Sequence, residues 1–231
     1  SLMGGYGITE DCPGFLGQKW MDSQLEATYE GPEAVQRRQL SVTMTNALFL
    51  AQMENWVNEL AEIAKTKPGV GALLVATAMR LWLHTLKYLD RGSDASGGKL
   101  YTSARQGVSF PMTDVLSWLV ASRMQILDLV ELEEKGRQNT VVAEGFTELM
   151  NYFSDLSMIQ ATRAAGEALR VCSDLYLGYR QKVEESDSDY SEFLILSREV
   201  QGRFVGTGLA RDRAAKALTE VMIPEALDYP V

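Results

Sequence analysis

Apolar residues recur along this chain at helical spacing, and strand-like alternation persists nowhere in it. Phe49, Met53, Trp56, Leu60 and Ile63 follow one another at intervals of four and three residues, which places them on one helix face. The pattern predicts a helix from Pro32 to about Thr66, stopped by Lys67-Pro68-Gly69. A second helix is expected over about 69–91. It is apolar nearly all round, from Leu73 and Leu74 through Met79, Trp82 and Leu86 to Leu89, so a central position is expected for it. RGSDASGGK (91–99) then predicts a flexible loop.

A third helix is expected over about 111–135. Its apolar stripe of Leu116, Leu119, Val120, Leu127 and Val130 opposes a polar stripe of Asp114, Ser117, Gln125, Asp128 and Glu131, and Gly136 supplies a stop. A fourth helical region covers about 139–185. It opens on Phe146, Leu149, Phe153 and Leu156 and continues through Ala161, Ala164, Ala165, Gly166 and Ala168, small residues that admit another helix closely. EESDSD (184–189) reads as a solvated loop, and two shorter helices follow at about 190–201 and 210–221. At the other end, MGGYGITEDCPG (3–14) reads as loop and residues 15–28 as a short helix carrying Phe15, Trp20, Met21 and Leu25. The fold class these segments define is all-α, an antiparallel helical bundle with a short helical tail.

Composition narrows the chemistry. At 231 residues with 46% hydrophobic content, the chain suffices for one large domain or two small ones. A formal charge of −9 speaks against a nucleic-acid partner. Cys12 and Cys172 lie far apart without a framework spacing, which fits a reducing cytoplasm. His84 is the only histidine, so a zinc site or a serine–histidine pair is hard to build, and His84 is expected to be structural, with a satisfied hydrogen bond. The longest apolar stretches, such as GALLVATAM (71–79), are too short to span a bilayer, and a membrane association is not expected. Arg163, Arg170, Arg180 and Lys182 are interleaved with Glu167 and Asp174 and read as a solvated face. Ser1 and Leu2 stand where a methionine would begin a natural protein, and they read as a remnant of cloning on a piece of a longer chain.

One segment carries more specific information. GGYG (4–7), Thr9-Glu10, Pro13, Asp22, TYEG (28–31) and Val35-Gln36-Arg37 occur in that order. The series resembles the C-terminal part of FAD-dependent acyl-CoA dehydrogenases. In that family a GG-x-G turn and a proline-containing segment lead to Arg-Asp-Ala. Its aspartate stands eight residues before the glutamate of Tyr-Glu-Gly-Thr, and a helix with Ile-Gln-Arg follows. Here Asp22 stands eight residues before Glu30, in the same register. Met21, Ser23 and Pro32 replace the family's arginine, alanine and threonine.

The resemblance implies roles. Glu30 corresponds to the catalytic base that removes the α-proton of an acyl-CoA thioester while the flavin accepts hydride, and its main-chain amide to a group that polarises the thioester carbonyl. A free glutamate carboxyl titrates at about 4.3, and burial against flavin and acyl chain raises such a group towards a useful base. Gly4, Gly5, Gly7 and Gly31 correspond to positions that approach FAD. The parent enzyme would act in fatty acid metabolism, with an acyl-CoA substrate and an electron-transfer flavoprotein as acceptor. Residues 1–66 are then expected to be the end of the catalytic bundle, and 67–231 a helical extension similar, more loosely, to that of larger family members. The family's N-terminal helical and middle β domains are not in the chain. The fragment alone is therefore expected to be inactive and colourless, with no FAD retained. The other reading is a non-enzymatic helical module for oligomerisation or partner binding. Either way, helix faces left without neighbours predict a homo-oligomer.

Overall fold

The structure is a computed structural model that describes residues 33–140, 143–180, 182 and 186–227, with side chains as far as residue 219. Among the described residues are helices α1 (Glu33–Thr43), α2 (Ala47–Thr66), α3 (Ala72–Arg91), α4 (Gln106–Gly136), α5 (Phe146–Gly178), α6 (Ser188–Gly202) and α7 (Thr207–Leu227). A 3-10 turn, Pro68–Val70, joins α2 to α3. No strand occurs among them, only an isolated bridge between Ser93 and Lys99. The all-α bundle read from the hydrophobic pattern is the fold observed.

Paired side chains give the direction of each helix. Arg123 of α4 bonds Glu59 of α2 at 2.6 Å, and Glu133 further along α4 pairs with Lys67 just beyond α2, so α2 and α4 run the same way. Trp82 of α3 donates to the Met112 carbonyl of α4 at 2.9 Å. Ser157 of α5 donates to the Val70 carbonyl before α3, and Tyr176 of α5 meets Tyr88 at the far end of α3. Helices α2 to α5 thus alternate up, down, up, down. Parallel α3 and α5 nonetheless pack directly on each other, because Ala161, Ala164, Ala165 and Ala168 are buried without bulk between them. Helix α6 runs back along α3, and α7 packs on α5, held by Arg213 and Asp155.

The core is continuous across residues 66 and 67. Met44, Met53 and Leu60 belong to one buried cluster with Trp82, Leu119, Ala165 and Phe193.

Element boundaries depart from the sequence expectation in informative ways. The helix expected over 32–66 is two helices. Asn46 is extended (φ −68°, ψ 133°), and its side chain accepts from the Leu48 amide at 2.9 Å, so it caps a new helix where the apolar spacing alone suggested continuity. Helix α4 starts at Gln106 and carries Pro111 in its interior. A proline there forfeits the bond to the carbonyl four residues back, and burial of Val108, Met112 and Val115 around it offsets that loss. Helix α5 is shorter than expected at both ends, and α7 continues to Leu227.

At the α2–α3 turn, Gly71 has φ +82°, and a Cβ placed on it would stand 2.5 Å from the Ala161 Cβ. Both features require glycine. Gly71→Ala combines left-handed strain with a backbone-backed clash and should destabilise the fold by about 2–4 kcal/mol in urea unfolding. A loss below about 1 kcal/mol would mean α3 and α5 are not this close.

The 91–99 stretch is an ordered turn. Asp94 accepts from the Ser96 and Gly98 amides, both at 3.0 Å, from the Ser96 hydroxyl at 2.6 Å and from Arg105 at 2.9 Å. The Ser96 hydroxyl, Arg105 and the Gly98 amide hold its carboxyl down at about 2. A lowered carboxyl stabilises the fold fully above the ordinary carboxylate range, and that contribution fades as pH falls through the lowered value. The Gly98 amide resonance should therefore titrate with a midpoint near pH 2, and the transition should vanish in Asp94→Ala. A midpoint near 4 would show that the turn does not hold the carboxylate.

Candidate functional site

Helix α3 floors an open groove of about 870 Å³ whose banks are α2 and α6. Its apolar surface comes from Leu50 and Val57 of α2, Leu73 and Leu83 of α3, and Leu196 of α6. Its rim mixes both signs. Arg80, Lys87 and Arg91 face Glu54 on one bank and Asp189 and Glu192 on the other. Arg203, just after α6, donates to the Thr77 hydroxyl at 3.0 Å and closes one end. The periodicity that makes α3 apolar nearly all round also explains the groove. Its buried side meets α4 and α5, and its remaining stripe lies between α2 and α6, which line the groove on either side.

At the other end stands a polar and aromatic cluster. Asp187 caps α6, accepting from the Asp189 and Tyr190 amides at 3.0 and 3.2 Å. Its carboxyl is held below the usual range, first by the Tyr190 amide and further by Arg180. The Arg180 guanidinium pairs with Asp187, donates to the Tyr176 hydroxyl at 2.5 Å and lies 4.8–5.5 Å from the Tyr88, Tyr176 and Tyr190 ring centroids. Tyr176 donates to Asp189 at 2.5 Å, and its ring stacks on Phe193 at 4.0 Å. Burial, and then the bond to Asp189, pushes the Tyr176 phenol well above its ordinary value. Burial also raises Tyr88.

His84 lies beside this cluster, on the groove wall. Its Nε2 is 3.6 Å from Asp189 Oδ1, and its Nδ1 is 3.8 Å from Glu192 Oε2. The satisfied hydrogen bond expected for it is not made: Nε2 is buried and has no hydrogen-bond partner. The reason is positional, since both carboxylates belong to α6 and stop just short of the ring. Arg180 is a second correction. Its side chain is only 10% exposed and is locked into the α5–α6 junction, not on a solvated face. Arg170 pairs with Glu167 at the surface as expected, and Arg163 covers the Trp118 ring at 4.2 Å.

Glu30, Gly4, Gly5, Gly7, Gly31 and Cys12 lie outside the described residues. The nearest described part of that motif is Arg37. It donates to Asp114 of α4 at 2.6 Å and pairs with Glu33 at 2.7 Å, and Asp114 is the first cause of its raised affinity for its proton. The bond to Asp114 fastens α1, whose first residue is three positions beyond Glu30, to α4. Cys172 is buried among α3 and α5, and burial pushes its thiol up to about 12, so it stays protonated and is no nucleophile. Among the described residues no group of three or more histidine, cysteine, aspartate or glutamate side chains is placed to hold a metal ion, and no helix is long and apolar enough to cross a membrane.

No protein-family model matches the chain, and neither does any curated protein or solved structure. Sequence reasoning found the apolar stripe of α3 but missed the cluster at Tyr176, Arg180, Asp187 and Asp189. One local signal was present: Asp187 precedes Ser188 and Asp189 at the start of a helical pattern, which is a capping signature.

Proposed function

We propose that the chain is the C-terminal portion of an acyl-CoA dehydrogenase that converts an acyl-CoA thioester to the 2,3-enoyl-CoA. One observation carries the reading: the ordered series from Gly4 to Arg37, in which Glu30 stands eight residues after Asp22 and three before the first residue of α1. The anchoring of Arg37 by Asp114 supports it, because a base that must meet one carbon atom needs a fixed helix behind it. FAD, when bound, supplies the hydride acceptor. The part of Glu30 is the proton, taken by its carboxylate from the carbon beside the thioester. Gly4, Gly5, Gly7 and Gly31 are the positions of this chain that would approach the flavin. The test is a flavin spectrum, and its bleaching by acyl-CoA, in protein expressed from the complete reading frame. Protein that binds no flavin under any condition overturns the reading.

A second reading, a helical oligomerisation or interaction module without enzymatic activity, is favoured by apolar exposure near α1. Val35 is 53% exposed, Val42 60% and Leu48, at the start of α2, 82%. It expects a flavin-free oligomer that dissociates when these three residues are changed to serine; a monomer in light scattering removes it.

A further inference from the structure

We infer that His84 is a proton-sensitive latch: once protonated it ties α6 more tightly to α3 through Asp189 and Glu192, and when neutral it makes neither contact. The inference is independent of the role of Glu30. It starts from an unmet requirement. The buried side-chain nitrogen and oxygen atoms without a hydrogen-bond partner among the described residues are His84 Nε2 and Ser197 Oγ, and Ser197 lies on α6. A buried polar atom without a partner costs about 1–3 kcal/mol, so this interface is not at its most stable with a neutral ring.

Both ring nitrogens of His84 face carboxylates, and both carboxylates come from one helix. The gaps of 3.6 and 3.8 Å exceed hydrogen-bond length by under about 1 Å. A ring with two N–H groups and a positive charge would draw both inward. Asp189 is already oriented for this, since its Oδ2 accepts from Tyr176 and its Oδ1 is the atom nearest the ring. Helix α6 packs mainly on α3, so this contact would add to those that Arg180 and Tyr176 already make with its first turn.

The other ionisable groups around the ring do not compete for the switch. From α5, Tyr176 and Cys172 are both pushed towards the neutral form by burial, and the guanidinium of Arg180, just beyond α5, stands 3.8 Å from Asp189. From α3 itself, burial raises Tyr88, and Arg80 and Lys87 line the groove beside His84. From α2, Glu54 stands across the groove, and Asp187 at the α6 cap is held ionised by backbone amides and Arg180. Imidazole is the side chain whose charge ordinarily changes between pH 8 and pH 5. Asp189 and Glu192 are the two carboxylates that face the ring, one at each nitrogen.

His84 is the only histidine of these 231 residues, so its ring signals in the labelled 231-residue chain need no assignment. The experiment follows those signals together with α6 amide exchange from pH 8 to pH 5, corrected for intrinsic exchange rates. Protection of the Phe193–Val200 amides should rise about tenfold as the ring takes its proton, the size of one charge-assisted hydrogen bond. The rise should disappear in His84→Gln. It should shrink in Glu192→Gln, a change at an exposed position that leaves the core intact. Flat or falling protection, a ring still neutral at pH 5, or the same rise in His84→Gln each overturns the proposal.

Discussion

Trp82→Ala should destabilise the bundle by about 3–5 kcal/mol, enough to unfold much of it near physiological temperature. Trp82 is fully buried near the middle of α3, inside the cluster that includes Leu119, Ala165 and Phe193. Removing it opens a void that long neighbouring helices cannot close by moving independently. Its indole N–H also donates to the carbonyl of Met112, the residue that follows the interior Pro111 of α4, at 2.9 Å. Trp82→Phe separates the two contributions. It keeps most of the bulk and loses the hydrogen bond, so a smaller loss of about 1–3 kcal/mol is expected. Urea unfolding followed by circular dichroism measures both, and that probe is preferable to fluorescence because Trp82 is one of four tryptophans. If alanine costs less than about 1.5 kcal/mol, α3 is not the central helix.

That α3 would be central was legible from composition alone. A helix apolar nearly all round has no face to give to water. The same argument fails at Asn46 and Arg180, for a shared reason. Asn46 interrupts a helix whose apolar positions continue in register on its C-terminal side, so periodicity sees nothing, and only the local competition of its side chain for the Leu48 amide breaks the run. Arg180 reads as one more surface cation by spacing. Its burial depends on Asp187 and three tyrosine rings, two of them on other helices, and no local pattern encodes that meeting. The groove is intermediate. Its floor is in the α3 stripe, but its existence follows from α2 and α6 standing apart. The capping carboxylates Asp94 and Asp187 show how much a loop reading by composition misses, since glycine, serine and aspartate make ordered turns as readily as loose ones.

Glu30→Gln, made in the protein from the complete reading frame, should lower kcat on an acyl-CoA by about 10²–10⁴-fold while leaving flavin content unchanged. Glutamine keeps the size and the main-chain amide of Glu30 and removes only the oxygen that accepts a proton. Under the proposed reading, in which the main-chain amide polarises the thioester, binding should survive, and KM should move far less than kcat. Glu30→Asp is the informative companion. It keeps the base but withdraws it by about 1.5 Å, one methylene, and a misplacement of that order costs up to about 10²-fold. An aspartate variant more active than the glutamine one identifies proton transfer as the lost step. The placement of α1 enters here as well, because the Arg37–Asp114 bond fastens the helix that begins three residues after Glu30. Undiminished turnover in Glu30→Gln would take the base out of the chemistry. It would leave the series from Gly4 to Arg37 as a likeness of sequence without its reaction.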